Sequence, residues 1–477
     1  MRIAQASLPS AELTGFRLMP NGFYALDTRV ELAKRAQQSL DVQYYHLHND
    51  KTGRLLLRSL REAASRGVRV RLLVDDLYTI GGDELFRSFA AFSNVEVRLF
   101  NPFCCGRTSL LNKYLASLAD FGRLNHRMHN KLFISDSAMV VAGGRNIADE
   151  YFMRSATDNF VDMDAFMIGA VIPQLQGIFD TYWNSRHVYP VESIIRTDLD
   201  REALRQQFEH LVNDGEQMTS WTLPAIDILG YGPIHEDLDA GRLGLVWGTA
   251  KAFADSPEKV TARTDDAARS MSVAMNVLDL VKDSKSEVTL VSPYFIPGRM
   301  GVETFGDLRK RNVKVTILTN SLASNDEPLV HTGYARYRMA LVKSGVDLYE
   351  ISPKGIRDNV RLMLGGRHGR LHAKTAVIDG SLVFIGSMNL DPRSASKNTE
   401  LGIIAESPQL AKEMLRIIHI SKLQSTYRVR LAKDGVNLEW LSMDEKGEVV
   451  LDVEPDTSFF SRFKHWLLSP FIPEDQL

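Results

Sequence analysis

The feature that most constrains this chain is an internal repeat. Residues 129–146 read HNKLFISDSAMVVAGGRN and residues 372–389 read HAKTAVIDGSLVFIGSMN, aligned without a gap at an offset of 243. His, Lys, Asp, Val, Gly and Asn coincide, and most of these are not letters that apolar packing alone would repeat. The flanks repeat as well. SLDVQYYHL (39–47), a helical stretch (53–67) and VRVRLLVDD (68–76) precede the first copy; SEVTLVSPYFI (286–296), VETFGDLRKRN (302–312) and VKVTILTN (313–320) precede the second. A third pair is NVEVRLFNPF (94–103) with GVDLYEISP (345–353). Strands rich in Val and Leu alternate with stretches of apolar period three to four, which reads as a parallel-leaning α/β layer built twice.

The expected organisation is an extension over 1–19, a first α/β domain over 20–195, a linker over 196–259, a second domain over 260–420 and a tail over 421–477. The linker assignment rests on a charged helical stretch followed by Pro- and Gly-containing loops. In the tail, YRVRL, VNLEWL and EVVLDV are separated by KDG and DEKG, the pattern of a small antiparallel meander. The last segment, SFFSRFKHWLLSPFI, carries Phe459, Phe460, Phe463, Trp466 and Leu467 at helical spacing, with Arg462, Lys464 and His465 off that face.

Composition narrows the function classes. The chain has 477 residues, 44% hydrophobic and 24% charged, which suits sizeable globular cores rather than disorder. A net charge of −2 argues against a globally basic nucleic-acid binder. The two cysteines, Cys104 and Cys105, are adjacent, offer no metal-ligand spacing and read as small packing residues of a reducing compartment. The opening MRIAQASLPSAELTGF has no apolar core, and no uncharged apolar run reaches about 18 residues, so any membrane contact is expected to be peripheral.

Each H-x-K lies beside a strand-like run, so His129 and Lys131 project to one face, as do His372 and Lys374. Asp136 and Asp379, an odd step beyond and beside a turn, should point elsewhere and serve structure. An imidazole beside an ammonium makes sense when both face an anion: Lys holds phosphoryl oxygens while neutral His attacks phosphorus. Asn146, Asn389 and the Ser387 hydroxyl can donate to the same oxygens, and small residues such as Gly144 permit close backbone approach. Each imidazole needs an orienting carboxylate. Glu400 lies 28 residues beyond His372, and Asp162 lies 33 beyond His129, preferred over Asp164. His331 and Tyr334, in LVHTGYARYR, are candidates for a headgroup pocket. His126 and His368 read as loop or surface residues, and His46 and His48 as residues that could face the cleft.

The duplicated H-x-K-x-x-x-x-D with downstream G-[GS]-x-N is the signature of the phospholipase D superfamily. Together with LDVQYY, GVRVRLL, RLNHRMHNK, GGRNIADEYF, ILTNSLASND, GYARYR, LHAKT, FIGSMNLDPRS and NTELG, the chain resembles bacterial cardiolipin synthases of the C type over nearly its whole length. The resemblance implies two phospholipase D-like α/β sandwich domains sharing one active site, and phosphatidyl transfer between phospholipids through a phosphohistidine. It implies His129 as nucleophile, His372 as acid and base, Lys131, Lys374, Asn146 and Asn389 on the phosphate, and no cofactor. Phosphatidylglycerol and phosphatidylethanolamine are the implied substrates, at the cytoplasmic face of the inner membrane, with room for a helper protein. One departure is Gly144, where many relatives carry Ser. Hydrolysis to phosphatidic acid is the alternative reading; a nuclease conflicts with the charge, and an inactive scaffold with two complete motifs.

Overall fold

The structure, a computed structural model, describes all residues except 1, 80, 104–105, 108, 110, 113–120, 214–224, 262–271, 354–367, 445–446 and 469–477. The Cys104–Cys105 pair therefore lies outside the described residues. The first half contributes β1 (Thr14–Met19), β2 (Ser39–Tyr44), β3 (Arg69–Asp75), β4 (Val95–Phe100), β5 (Leu132–Ser135), β6 (Met139–Gly143), β7 (Asp158–Val161), β8 (Asp164–Gly169) and β9 (Val188–Pro190). Then come β10 (Val246–Ala254) and the second half: β11 (Glu287–Val291), β12 (Lys314–Asn320), β13 (Asp347–Ile351), β14 (His368–Leu371), β15 (Thr375–Ile378), β16 (Leu382–Gly386) and β17 (Leu401–Glu406). The tail adds β18 (Thr426–Leu431), β19 (Leu438–Asp444) and β20 (Gly447–Leu451).

The repeat is visible strand by strand. β2, β3 and β4 run parallel, as do β11, β12 and β13, and these are the Val/Leu-rich runs. Their near-continuous burial follows from cover on both faces. The motif strands β5, β6 and β8, and β15, β16 and β17, join antiparallel. Each half is thus mixed rather than parallel throughout, because the motif itself is a hairpin. The helix Lys51–Ser65 packs Leu55, Leu56, Leu57 and Leu60 inward, and Asp50 caps it by accepting from the Gly53 N–H.

Two strands fall where the sequence suggested none. β1 lies within the segment read as an extension, and β10 within the segment read as a linker. The first three residues of β10 pair with β1 and the remaining six with β17, joining both sheets into one 18-stranded sheet. Its sequence, VWGTAKAFA, lacks the β-branched run that marks a strand by itself; two waiting edges define it. The charged stretch before it forms the helix Arg201–Asn213, with Phe208 buried against Phe89. The tail meander extends the second half's sheet, since β18 pairs with β13.

The halves meet through one apolar layer. Phe16, Leu132, Ile134, Val140 and Met167 of the first share a core cluster with Val377, Val383, Ile385 and Ile403 of the second. A second link is polar. β14, which leads into His372, pairs in parallel with β7, which leads into Asp162. The matching bridge, Met128 with Thr399, sets the chain before His129 beside the chain before Glu400. Each approach to a motif histidine therefore rests on the other half.

Candidate active site

His129 and His372 sit in extended chain just before β5 and β15, and their N–H groups donate to Thr399 O and Val161 O of the opposite half, each at 2.8 Å. The side chains cross over too. His129 Nδ1 lies 2.9 Å from Glu400 Oε2, and His372 Nδ1 lies 2.6 Å from Asp162 Oδ2. Each carboxylate thus serves the histidine of the other repeat, not the one that precedes it in the sequence. His129 Nδ1 also faces Ser387 O at 3.0 Å. With only acceptors around it, Nδ1 carries the proton, and Nε2 keeps its lone pair for chemistry. Asp164 is used elsewhere, ion-paired to Arg29 at 2.8 Å in the core.

All four basic groups are buried. Burial, aided by Lys131, lowers His129 to about 4 against the pull of Glu400. Burial and Lys374 lower His372 to about 3. Burial also lowers Lys131 well below its usual range and Lys374 to about 8. For the carboxylates burial acts upward but loses: His372, Lys374 and Arg145 hold Asp162 down, and His129, Lys131 and the Ser387 hydroxyl hold Glu400 down. Near neutral pH both carboxylates are therefore held ionised and both imidazoles neutral, and an incoming phosphodiester anion favours protonation of one imidazole. Lys131 Nζ donates to His129 O at 2.6 Å, and Lys374 Nζ donates to His372 O, which fixes both ammoniums beside their imidazoles.

The remaining motif residues divide by position. Asp136 accepts from the N–H groups of Gln37, Gln38 and Ser39, and Asp379 from those of Lys285, Ser286 and Glu287. Both stand at the far end of their strands, in left-handed turns at φ 52° and 51°, and pin β2 and β11. Asn146 and Asn389 are buried, each with an Oδ1 that has no hydrogen-bond partner among the described residues; Asn146 Nδ2 donates to the Tyr151 hydroxyl. The Ser387 hydroxyl corrects its sequence reading. It donates to Glu400 and accepts from the Leu401 N–H, so it supports the orienting acid rather than waiting for phosphate. Gly144, at the matching position, leaves room for a carboxylate: a Cβ there would lie 2.1 Å from Asp162 Oδ1.

His331 and Tyr334 also depart from expectation. Both are buried on the helix Pro328–Lys343, where the Tyr334 hydroxyl donates to Glu350 and His331 faces Glu454. They belong to a polar cluster with Arg338 and Trp440 that ties the tail meander to the body, not to the histidine site. His46 lies against Tyr78 and His48, while His126 Nδ1 donates to Gly122 O. The side chain of His368 is outside the described set. Sequence reasoning missed the rings that enclose the imidazoles: Tyr45 at 4.9 Å from His129, and Tyr151 and Phe160 at 5.1 Å from His372. A signal existed in YYH at the end of β2, in DEYF after the first motif and in NFV before Asp162, but an aromatic near a strand end usually reads as core.

With this geometry in place, the chain can be set beside known proteins. The family described as "Cardiolipin synthase, PLD-like domain" matches residues 30–183 and 277–420, more than half of the chain and both repeats. The chain belongs to this family. It is an enzyme of the phospholipase D type. Over 469 residues it is 36% identical to cardiolipin synthase C of Escherichia coli (strain K12), covering 97% of this chain and 96% of that protein. It is 23% identical to a cardiolipin synthase of Staphylococcus aureus (strain Mu50) over 90% of this chain and 71% of that protein. Phosphatidylserine synthase of Haemophilus influenzae shares the fold, with a TM-score of 0.58, 12% identity and coverage of 100% and 99% of the two chains. The crossed pairs mean that neither half holds both a motif histidine and the carboxylate bonded to it. Among the described residues no cluster suited to a metal ion is found.

Proposed function

We propose that the protein is a phosphatidyltransferase that makes cardiolipin from two phospholipids, with His129 as nucleophile and His372 as acid and base. The observation that carries this is the crossing of His129 to Glu400 and His372 to Asp162, which gives two oriented imidazoles beside two buried lysines. His129 Nε2 attacks phosphorus; the bond from phosphorus to the headgroup oxygen breaks, and that oxygen takes the proton of His372 Nε2. A hydroxyl of the acceptor then gives its proton to His372 and attacks phosphorus, and the phosphorus–nitrogen bond breaks. Lys131, Lys374, Asn146 and Asn389 hold the phosphoryl oxygens. Phosphatidylethanolamine is the proposed donor and phosphatidylglycerol the acceptor. Purified protein on vesicles of these two lipids, with products resolved by mass spectrometry, should yield cardiolipin and free ethanolamine. Phosphatidic acid as sole product would replace the synthase by a hydrolase.

Charge sets the pH dependence. Lys374 has lost half its proton by about pH 8. Its attraction for the phosphodiester disappears with that proton, so kcat/KM falls as pH rises through this value. Lys374→Arg keeps its charge and should carry the basic limb upward, whatever it costs in rate. An unmoved limb would assign it to another group.

The lipid substrates call for a bilayer surface, at the cytoplasmic side of the inner membrane in this reading. No described helix is long and apolar enough to cross a membrane. The helix Phe459–Leu468 instead turns its apolar face outward: Phe459 and Phe460 are each 75% exposed, with Phe463 and Leu467 beside them. His465 joins it to Thr332 of the helix Pro328–Lys343, and Arg462 donates back to Thr457 O just before the helix. The side chain of Trp466 is outside the described set. An outward aromatic face flanked by Arg462 and Lys464 suits the interface of an anionic bilayer. Replacing Phe459, Phe460 and Phe463 by Ser should weaken vesicle co-sedimentation about tenfold or more while leaving the melting temperature unchanged. Unchanged sedimentation would remove this helix from the membrane contact.

A further inference from the structure

β3 and β12 are equivalent strands of seven residues, the middle strand of each parallel trio, and each ends on a side chain that reaches the motif. Asp75, last in β3, accepts at Oδ2 from the Met128 N–H at 2.8 Å; Met128 directly precedes His129. Asn320, last in β12, accepts at Oδ1 from the Leu371 N–H at 3.1 Å, and its Nδ2 donates to Leu371 O at 3.0 Å; Leu371 directly precedes His372. Two independent repeats thus place a polar side chain at one position to clamp one peptide. Both are buried. The peptide they hold is also the one that crosses to the other half, at Met128–Thr399 and Leu371–Val161. A shift there would move the imidazole and its cross-half carboxylate together.

The two positions differ in charge. Behind His129 stands a carboxylate, which also accepts from the Leu77 N–H and faces Arg127 at 3.4 Å. Behind His372 stands an amide, whose remaining contacts are Pro293 O and the Ser324 hydroxyl. The other charges about Lys131 are Glu400, Asp162 and Lys374; about Lys374 they are Asp162, Glu400, Asp326 and Asp391. Asp76, next to Asp75, is taken up by Arg107.

We propose that Asp75 and Asn320 are paired positioning residues that aim the two imidazoles, and that the carboxylate of the first, unmatched in the second, makes the His129 half electrostatically distinct. Asp75 neither touches the reacting atoms nor replaces Glu400. It fixes the backbone entering the motif, and its charge acts on Lys131 from behind. The assignment rests on the phospholipase D-type reading of the site, not on which alcohol accepts the phosphatidyl group.

The test compares Asp75→Asn with Asn320→Asp, each near-isosteric. Total release of ethanolamine and glycerol is followed on vesicles of phosphatidylethanolamine and phosphatidylglycerol, so transfer and hydrolysis count alike. For Asp75→Asn, kcat should fall about tenfold with KM little changed, as small misplacements of catalytic groups do. Lys131 contributes to the basic limb of kcat/KM beside Lys374, and its contribution should move to lower pH, because Asp75 is one of the anions that hold its proton. For Asn320→Asp, the limb should move to higher pH. Opposite movements in two variants of similar melting temperature are the signature. Losses that merely track melting temperature, with the limb fixed in both, would reduce the two residues to packing and overturn the proposal. So would wild-type kinetics in both. Headgroup release without cardiolipin would overturn the synthase reading and leave this one standing.

Discussion

Replacing either motif histidine by alanine should cost activity roughly ten-thousandfold, and the double variant should lose little more than either single one. Groups that act as a unit are not additive: once the nucleophile or its proton partner is gone, removing the other has little left to cost. The crossed geometry sharpens this. His129→Ala leaves Glu400 buried without its imidazole, and His372→Ala does the same to Asp162. Both carboxylates keep other partners, Ser387 for Glu400 and the Met163 N–H for Asp162, so the fold should survive. The proposed roles separate the variants. A phosphatidyl ester of p-nitrophenol leaves without a proton, so His372→Ala should still release p-nitrophenol in a burst equal to the enzyme present and trap phosphorus on His129. His129→Ala should give no burst. The reverse pattern, with phosphorus on His372, would exchange the roles; identical full activity in either variant would end the two-histidine proposal.

Much of this was readable in the sequence, for a physical reason. The offset of 243 relates β5 to β15 and β6 to β16 residue for residue, because each repeat builds the same hairpin with a turn of the same length. The identities of Asp162 and Glu400 were legible as well, since a carboxylate at the mouth of a strand-like run suits an imidazole. Their crossing was not. Spacing along the chain measures distance within a repeat, and only the β7–β14 pairing and the Met128–Thr399 bridge bring the repeats together. β1 and β10 escaped notice because edges formed elsewhere define them. His331 and Tyr334 misled for the opposite reason: a polar, aromatic helix face looks like a pocket, yet here it encloses Glu350 and Arg338.

Gly144→Ser should be damaging, although it installs the residue that the second repeat carries at the same place. A Cβ at Gly144 would stand 2.1 Å from Asp162 Oδ1 and 3.0 Å from Oδ2, so the carboxylate must move. Asp162 Oδ2 is the oxygen that orients His372, and Oδ1 accepts from the Met163 N–H, so neither can shift without breaking a bond. The second repeat solves the same problem differently, with Ser387 bonded to Glu400. Each half therefore carries a matched pair, Gly with Asp or Ser with Glu, and exchanging one member alone creates a clash. Overpacking of this kind costs about 1–3 kcal/mol in stability. The larger effect should fall on kcat, on the order of a hundredfold or more, because an imidazole released from its carboxylate can turn and present the wrong nitrogen. Asp162→Asn isolates that second contribution, since it removes charge without adding atoms: it should depress kcat while leaving the melting temperature closer to wild type than Gly144→Ser does. If Gly144→Ser kept wild-type kcat, the first repeat would have room that the geometry denies it, and the matched-pair explanation for the missing hydroxyl would fall.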